Sequence, residues 1–215
     1  MHTLYWSPGA CSIAPHIVLE EIGEPYRTER VLIEAQGTAE VLVPSAYLKV
    51  NPKGRLPALT IEGQILTEAP AIMMYLARSN PEAGLLPHDA EGEARVYEWM
   101  NYLTTTVHAV AFGQVVRPQR FVEDPADFPK VIAKGRQNVA KAYTFIESQL
   151  RGREWAAAGQ YSLADIYLLF FYLGSKAAGN PMERAFPAWS GIAERTLARP
   201  AVQRVLRQEG ASLAA

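Results

Sequence analysis

The 215-residue chain balances 21 Lys and Arg against 22 Asp and Glu, and 49% of it is hydrophobic. A near-neutral chain with no dense basic run has no electrostatic footprint for nucleic acid or an anionic membrane, and no stretch approaches the roughly 18 apolar residues of a membrane helix. A single cysteine excludes an internal disulfide. With an N-terminus, MHTLYWSPGACS, that lacks the layout of a secretion signal, this points to a reducing cytoplasm.

The length suits one large domain or two small ones, at about 150 residues per domain. His2–Trp6 reads as a short apolar strand, followed by a Ser7-Pro8-Gly9 turn. Ser12 to Gly23 predicts a helix, because Ile13, His16, Ile17 and Glu20 recur at helical spacing and Gly23 can end it. Tyr26–Ile33 alternates like a second strand, and Thr38–Val50 is mixed, a loop with a short helix. Asn51-Pro52-Lys53-Gly54 is a turn by composition. Leu56–Ile61 and Gln64–Thr67, separated by Glu62-Gly63, predict a hairpin. Glu68 to Ser79 predicts a helix with Pro70 in its first turn.

This order of β-α-β and then β-β-α predicts a small mixed sheet carrying helices over residues 1–80. Residues 81–90, with Pro81, Gly84 and Pro87, read as a linker. Beyond it, strand signals vanish. Helical periods run over Glu91–Arg120, Phe128–Arg151, Leu163–Lys176, Pro187–Leu197 and Ala201–Gln208, so residues 91–215 predict an all-helical domain.

Some positions carry chemistry. Cys11 follows a strand and a turn and sits where a helix begins, among unpaired N–H groups that lower a thiol's pKa. Against this, most lone cysteines are simply small buried residues. Leu56-Pro57 is a candidate cis bond opening a strand, which would leave the Leu56 backbone able to pair with an extended peptide. On base rates an ordinary trans proline competes with that reading. Glu68 stands at a strand–helix junction, where its carboxylate can take an ammonium group while the helix N-terminus takes a carboxylate. A simple helix-start acid is the plainer reading. Ser162 with Asp165 forms a capping box, placing Asp165 in a structural role. His108 lies on a long helix with Phe112 at helical spacing, where a core or surface histidine is the commoner case. His2, His16 and His88 form no metal-ligand grouping.

Taken together, the segments resemble the bacterial beta class of glutathione transferases over nearly the whole chain. The resemblance is carried by Tyr5-Trp6-Ser7-Pro8-Gly9-Ala10-Cys11-Ser12 and its continuation to Glu21, by Asn51-Pro52-Lys53-Gly54-Arg55-Leu56-Pro57-Ala58-Leu59, and by Leu66-Thr67-Glu68-Ala69-Pro70-Ala71-Ile72. Glu98-Trp99-Met100-Asn101-Tyr102-Leu103 with His108, and Tyr161-Ser162-Leu163-Ala164-Asp165, complete it in order.

The resemblance implies an α/β thioredoxin-like N-terminal domain and an all-α C-terminal domain, the glutathione transferase fold. It implies an enzyme that joins the sulfur of glutathione to a hydrophobic electrophile, with no metal. Thiol-transferase or peroxidase side activity is compatible with it. Cys11 would stand beside the glutathione sulfur with help from His108. Leu56 and the cis Pro57 would pair with the cysteinyl part, and Glu68 with the Ala69 N–H would hold the γ-glutamyl end. Lys53 would approach the glycyl carboxylate, and Asn101 would reach the site from the helical domain. The electrophile is expected against Trp6, Phe112 and Val116. A homodimer is expected, with no nucleic-acid or membrane partner. Two departures stand out: Ala69 where many transferases have serine, and Ala109 where beta-class relatives often have lysine. A glutathione-dependent isomerase, dehalogenase or lyase on the same fold, and a non-enzymatic binding protein, remain alternatives.

Overall fold

The computed structural model describes residues 1–32, 34–36 and 40–210. Its first half is built on a four-stranded sheet in the order β2-β1-β5-β6. Strand β1 (His2–Trp6) pairs parallel with β2 (Tyr26–Arg30) and antiparallel with β5 (Ala58–Ile61), which pairs antiparallel with β6 (Gln64–Thr67). Helix α1 (Ile13–Ile22) makes the crossover from β1 to β2. The β5–β6 connection is the two-residue turn expected from Glu62-Gly63. Both residues have positive φ, +48° and +83°, the backbone that a tight hairpin turn needs and glycine adopts freely.

Strand β2 is shorter than the alternation suggested. The Val31 N–H still reaches the Trp6 carbonyl, but Leu32 is exposed; Ile33 lies outside the described residues. Strand β3 (Glu34–Gln36), which falls in no expected element, pairs antiparallel with β4 (Glu40–Leu42), inside the stretch expected to be a loop with a short helix, and helix α2 (Ser45–Leu48) follows. Thr38 and Ala39 lie outside the described residues. Helix α3 (Ala69–Ser79) follows β6, with Glu68 at its N-cap.

The second half is helical. Helix α4 (Ala90–Tyr102) begins at Asp89, whose carboxylate accepts the Gly92 N–H. It continues without a break into a π-helical segment, Leu103–Phe112, and ends in α5 (Gly113–Val116). The expected helix to Arg120 stops early because Pro118 forces the preceding residue out of helical geometry, and Arg117 has φ −144°. A 3₁₀ turn covers Pro118–Arg120. Helices α6 (Phe128–Leu150), α7 (Leu163–Ala177), α8 (Met182–Ala185), α9 (Pro187–Leu197) and α10 (Pro200–Glu209) follow. The short α8 carries too few residues to show a period in the sequence.

Asp165 holds the start of α7 as the capping box requires. Its carboxylate accepts from the N–H groups of Ala156 and Ser162, each at 2.8 Å, and from the Ser162 hydroxyl at 3.1 Å. The side chain is fully buried. Glu147 does similar work from a distance: its two carboxylate oxygens accept the Ala188 and Trp189 N–H groups at the start of α9. Such caps satisfy donors that no helical partner can reach.

Helix α1 joins the halves. It is buried on nearly every side from Ile13 to Leu19, packed against α3 and also against α7 and α10. At the α10 end, buried His16 meets buried Glu209 at 2.8 Å, while Arg199 and Arg204 pair with Glu21 and Glu20. No helix among the described residues is long and apolar enough to cross a membrane.

Candidate active site

A cavity of about 520 Å³ opens between the sheet half and the helical half. The turn after β1 forms one edge. Ser12 locks that turn by accepting the Ser7 N–H and donating to the Ser7 carbonyl, so Ala10 and Cys11 face the cavity. The Cys11 thiol donates to the Leu56 carbonyl at 3.5 Å.

The next edge is the loop before β5. Asn51 Nδ2 and the Tyr47 hydroxyl both donate to the Arg55 carbonyl, at 2.6 and 2.7 Å, and the Lys53 N–H donates back to Asn51 Oδ1. These bonds fix the loop so that Gly54, Arg55, Leu56 and Pro57 line the cavity. The Leu56–Pro57 peptide bond is cis.

The third edge is the β6–α3 junction, where Thr67, Glu68, Ala69 and Pro70 line the cavity. Glu68 has φ +73° and ψ +117°, a backbone that costs a non-glycine residue about 1–3 kcal/mol and that concentrates at functional sites. Its carboxylate forms an ion pair with Lys53, whose ammonium also donates to Thr67 Oγ1 at 2.7 Å. Lys53 therefore stands at the Glu68 end of the cavity.

The helical half supplies the remaining wall. Thr104, His108, Phe112 and Val116 recur every four residues along the π-helical stretch and α5, and all four line the cavity. Widened turns of this kind are common at functional sites. The His108 ring sits edge-on to Phe170 and Phe171, with centroids 5.7 and 5.8 Å away. Tyr167, Phe170 and Phe171 of α7 close the wall.

Burial dominates the ionisation of both candidate acid–base groups. It pushes the Cys11 thiol up to about 12, outweighing the lowering by its backbone hydrogen bond and the Arg117 charge. The helix-start argument from sequence is thus reversed, because the desolvation of a packed thiolate exceeds what nearby dipoles return. Burial also pushes His108 down to about 4, with Arg117, Arg120 and Arg55 acting the same way. His108 is a neutral imidazole at neutral pH.

Of the residues singled out from sequence, Cys11, Leu56, Pro57, Glu68, Ala69, His108, Phe112 and Val116 meet in this one cavity. Two do not. Trp6 packs near His16 of α1, with ring centroids 6.0 Å apart, and lines a separate shallow recess. Asn101 is exposed and outside the cavity lining. Missed from sequence were Arg55, Arg117, Arg120, Tyr167, Phe170 and Phe171. The Phe170-Phe171 pair is conspicuous, but α7 is buried almost all round, so no periodicity marks the face that turns to the cavity.

Two family descriptions match the chain: the glutathione S-transferase N-terminal domain over residues 9–79 and the glutathione S-transferase C-terminal domain over residues 103–200. The glutathione S-transferase GstA of Escherichia coli O157:H7 is 31% identical over 209 residues, covering 96% of this chain and 98% of its own. Among solved structures, a glutathione transferase homologue from Sulfitobacter with bound glutathione superposes with a TM-score of 0.86 at 34% identity, covering 97% of this chain and 98% of that one. A bacterial beta class glutathione S-transferase from Sphingomonas chungbukensis gives a TM-score of 0.80 at 32% identity, covering 98% of this chain and 100% of that one. On this fold, these matches and this cavity, the chain belongs to the glutathione S-transferase family.

Proposed function

We propose that the protein is a glutathione transferase in which the tripeptide lies extended from the Glu68–Ala69 junction past Leu56 to the turn holding Cys11. The observation that carries this reading is that one cavity gathers an acid at a helix N-terminus, a strand-edge backbone and a thiol. The Glu68 carboxylate is placed for the γ-glutamyl ammonium, in competition with Lys53, while the Ala69 N–H at the start of α3 takes the neighbouring carboxylate. The Leu56 backbone offers the cysteinyl part a strand-like partner.

An unperturbed thiol loses its proton near pH 8.5, so the site must favour the thiolate of the bound tripeptide. Cys11 serves as a neutral S–H donor to that sulfur, since its own proton is held to about pH 12. Neutral His108 offers an N–H from the opposite wall. The thiolate then attacks the electrophilic carbon; a C–S bond forms and the leaving group departs with its electron pair, or the pair is taken up by an activated double bond. The thiol proton passes to solvent. The electrophile lies on Phe112, Phe170 and Phe171. A mixed disulfide through Cys11 ranks second, because little of its thiolate exists at neutral pH.

The reading includes a cytoplasmic homodimer in which residues 81–90 connect a glutathione-binding domain, 1–80, to a helical domain, 91–215. Retention on immobilised glutathione with elution by free tripeptide, together with conjugation of 1-chloro-2,4-dinitrobenzene, tests it. A folded protein that neither binds the column nor forms conjugate rejects it. Sedimentation equilibrium decides the dimer.

A further inference from the structure

Building on the transferase reading, we propose that Arg117 and Arg120, with Arg55 from the other half, form an anion-binding wall. It would select second substrates that join a carboxylate, sulfonate or phosphate group to an apolar body.

All three arginines line the cavity. They converge closely enough to feel one another: Arg117 and Arg55 act on Arg120, and all three act on His108. Burial and these neighbours push Arg120 down, which is the mark of a crowded cationic group whose charge is not locally answered. Among the described residues none of the three forms an ion pair, whereas Arg78, Arg95, Arg199 and Arg204 each do. The cavity lining offers one carboxylate, Glu68, and Lys53 already engages it. A cationic cluster in a partly enclosed space attracts anions, and a guanidinium binds oxyanions through paired N–H donors.

Position separates this cluster from the tripeptide cradle. Arg117 and Arg120 follow α5 and belong to the wall of His108, Phe112 and Val116, where the second substrate is expected. Arg117 also acts on Cys11, the thiol that the transferase reading sets beside the reacting sulfur. A substrate with its acid group at Arg117 and Arg120 would rest its apolar body on Phe112, Phe170 and Phe171, with its reactive carbon toward the sulfur.

The test is titration calorimetry with two isosteric probes, 2-naphthalenesulfonate and neutral 2-naphthalenesulfonamide. Each is measured with and without saturating S-methylglutathione, which fills the tripeptide site but cannot react. The sulfonate is expected to bind about tenfold or more tightly than the sulfonamide with S-methylglutathione bound, and to lose that advantage as salt rises. Arg117→Ala and Arg120→Ala each reduce the preference several-fold, and the double variant abolishes it. Sulfonamide affinity stays within about twofold, which also reports an intact cavity. The proposal falls if the wild-type protein shows no sulfonate preference. It falls equally if S-methylglutathione removes that preference, since the arginines then serve the tripeptide's own carboxylates, or if the variants lose both probes alike. If S-methylglutathione does not bind, the transferase reading fails by itself, and the contrast without it still upholds or overturns the anion wall.

Discussion

The Cys11 thiol sits 3.5 Å from the Leu56 carbonyl and donates its hydrogen to it. The one cysteine therefore occupies a backbone acceptor that an extended tripeptide would approach. Burial holds the proton on sulfur up to about pH 12, which supports the proposed role of Cys11 as a hydrogen-bond donor over that of a nucleophile. Iodoacetamide should then modify Cys11 much more slowly than it modifies a free thiol between pH 7 and 8.5. Cys11→Ala should keep conjugation but lower kcat/KM by about tenfold, the worth of one hydrogen bond to a charged sulfur. The apparent pKa of bound glutathione, read from the pH–rate profile, should rise with it. Abolished conjugation, or rapid alkylation at pH 7, would remove this role.

His108 gives a pH dependence of defined sign. Its native pKa is pushed down to about 4 from an ordinary 6.5, first by burial and then by Arg117, Arg120 and Arg55. The unfolded chain therefore binds a proton at a pH where the native protein does not. The stability held above pH 6.5 is lost as pH falls toward 4. Urea unfolding at pH 7.5 and 5 should show this loss, and His108→Asn should reduce it. An imidazole signal titrating at or above pH 6.5 in the free protein would contradict the assignment.

Glu68 separates binding from stability. Its +73° φ is strained for a side chain with a Cβ, while its ion pair with Lys53 is about half exposed and contributes little to folding. Glu68→Gln should weaken S-methylglutathione binding by about tenfold or more, as expected for removing a charge that pairs with an ammonium, and leave Tm nearly unchanged. Glu68→Gly should weaken it as much and yet raise Tm, because relieving about 1–3 kcal/mol of strain exceeds glycine's entropic cost of about 0.5–1 kcal/mol. Thermal melts with calorimetry check both halves; a Tm that falls in the glycine variant would deny the strain.

The parts of this molecule that were legible in the sequence are those fixed by local chemistry. The Glu62-Gly63 turn, the Ser162–Asp165 cap and the Asn51–Pro57 loop each depend on residues a few positions apart, so spacing alone reveals them. The wall opposite Cys11 was only half legible. His108, Phe112 and Val116 are legible there, whereas Thr104 joins them and Asn101 stays outside the lining, which the sequence does not reveal. Ionisation was the least legible property. Cys11 has the helix start that lowers a thiol's pKa, and only its burial in the folded protein shows that desolvation wins. The arginine wall draws on residues 62 or more positions apart in sequence, Arg55 against Arg117 and Arg120, which no local pattern joins.

Asp165 should be the most costly single residue outside the cavity. Asp165→Ala removes the acceptor for two buried N–H groups and one hydroxyl, and each orphaned donor costs about 1–3 kcal/mol. A loss of at least about 3 kcal/mol is expected, enough to lower the soluble yield. Asp165→Asn should recover only part of it, since its amide nitrogen cannot accept a hydrogen bond. Denaturant melts of the two variants check the order; an Asp165→Ala protein as stable as wild type would deny the cap its role.

Two glycines in helix interiors should respond to alanine with opposite signs. In an open helical position the change stabilises by about 1 kcal/mol. Gly191 in α9 is such a position, where an added Cβ would meet nothing nearer than Arg195 Nη1 at 3.6 Å. Gly135 in α6 is not. There the Cβ would fall 2.7 Å from Gln114 Cβ, 2.9 Å from Val115 Cγ2 and 3.0 Å from the Val115 backbone nitrogen. Backbone cannot swing aside as a side-chain tip can, so α6 and α5 must separate, at a cost of about 1–3 kcal/mol. Because α5 leads directly into Arg117, that displacement should also weaken 2-naphthalenesulfonate binding, while Gly191→Ala raises Tm and leaves binding unchanged. Equal Tm shifts in the two variants would show that α5 is not held by its contact with Gly135.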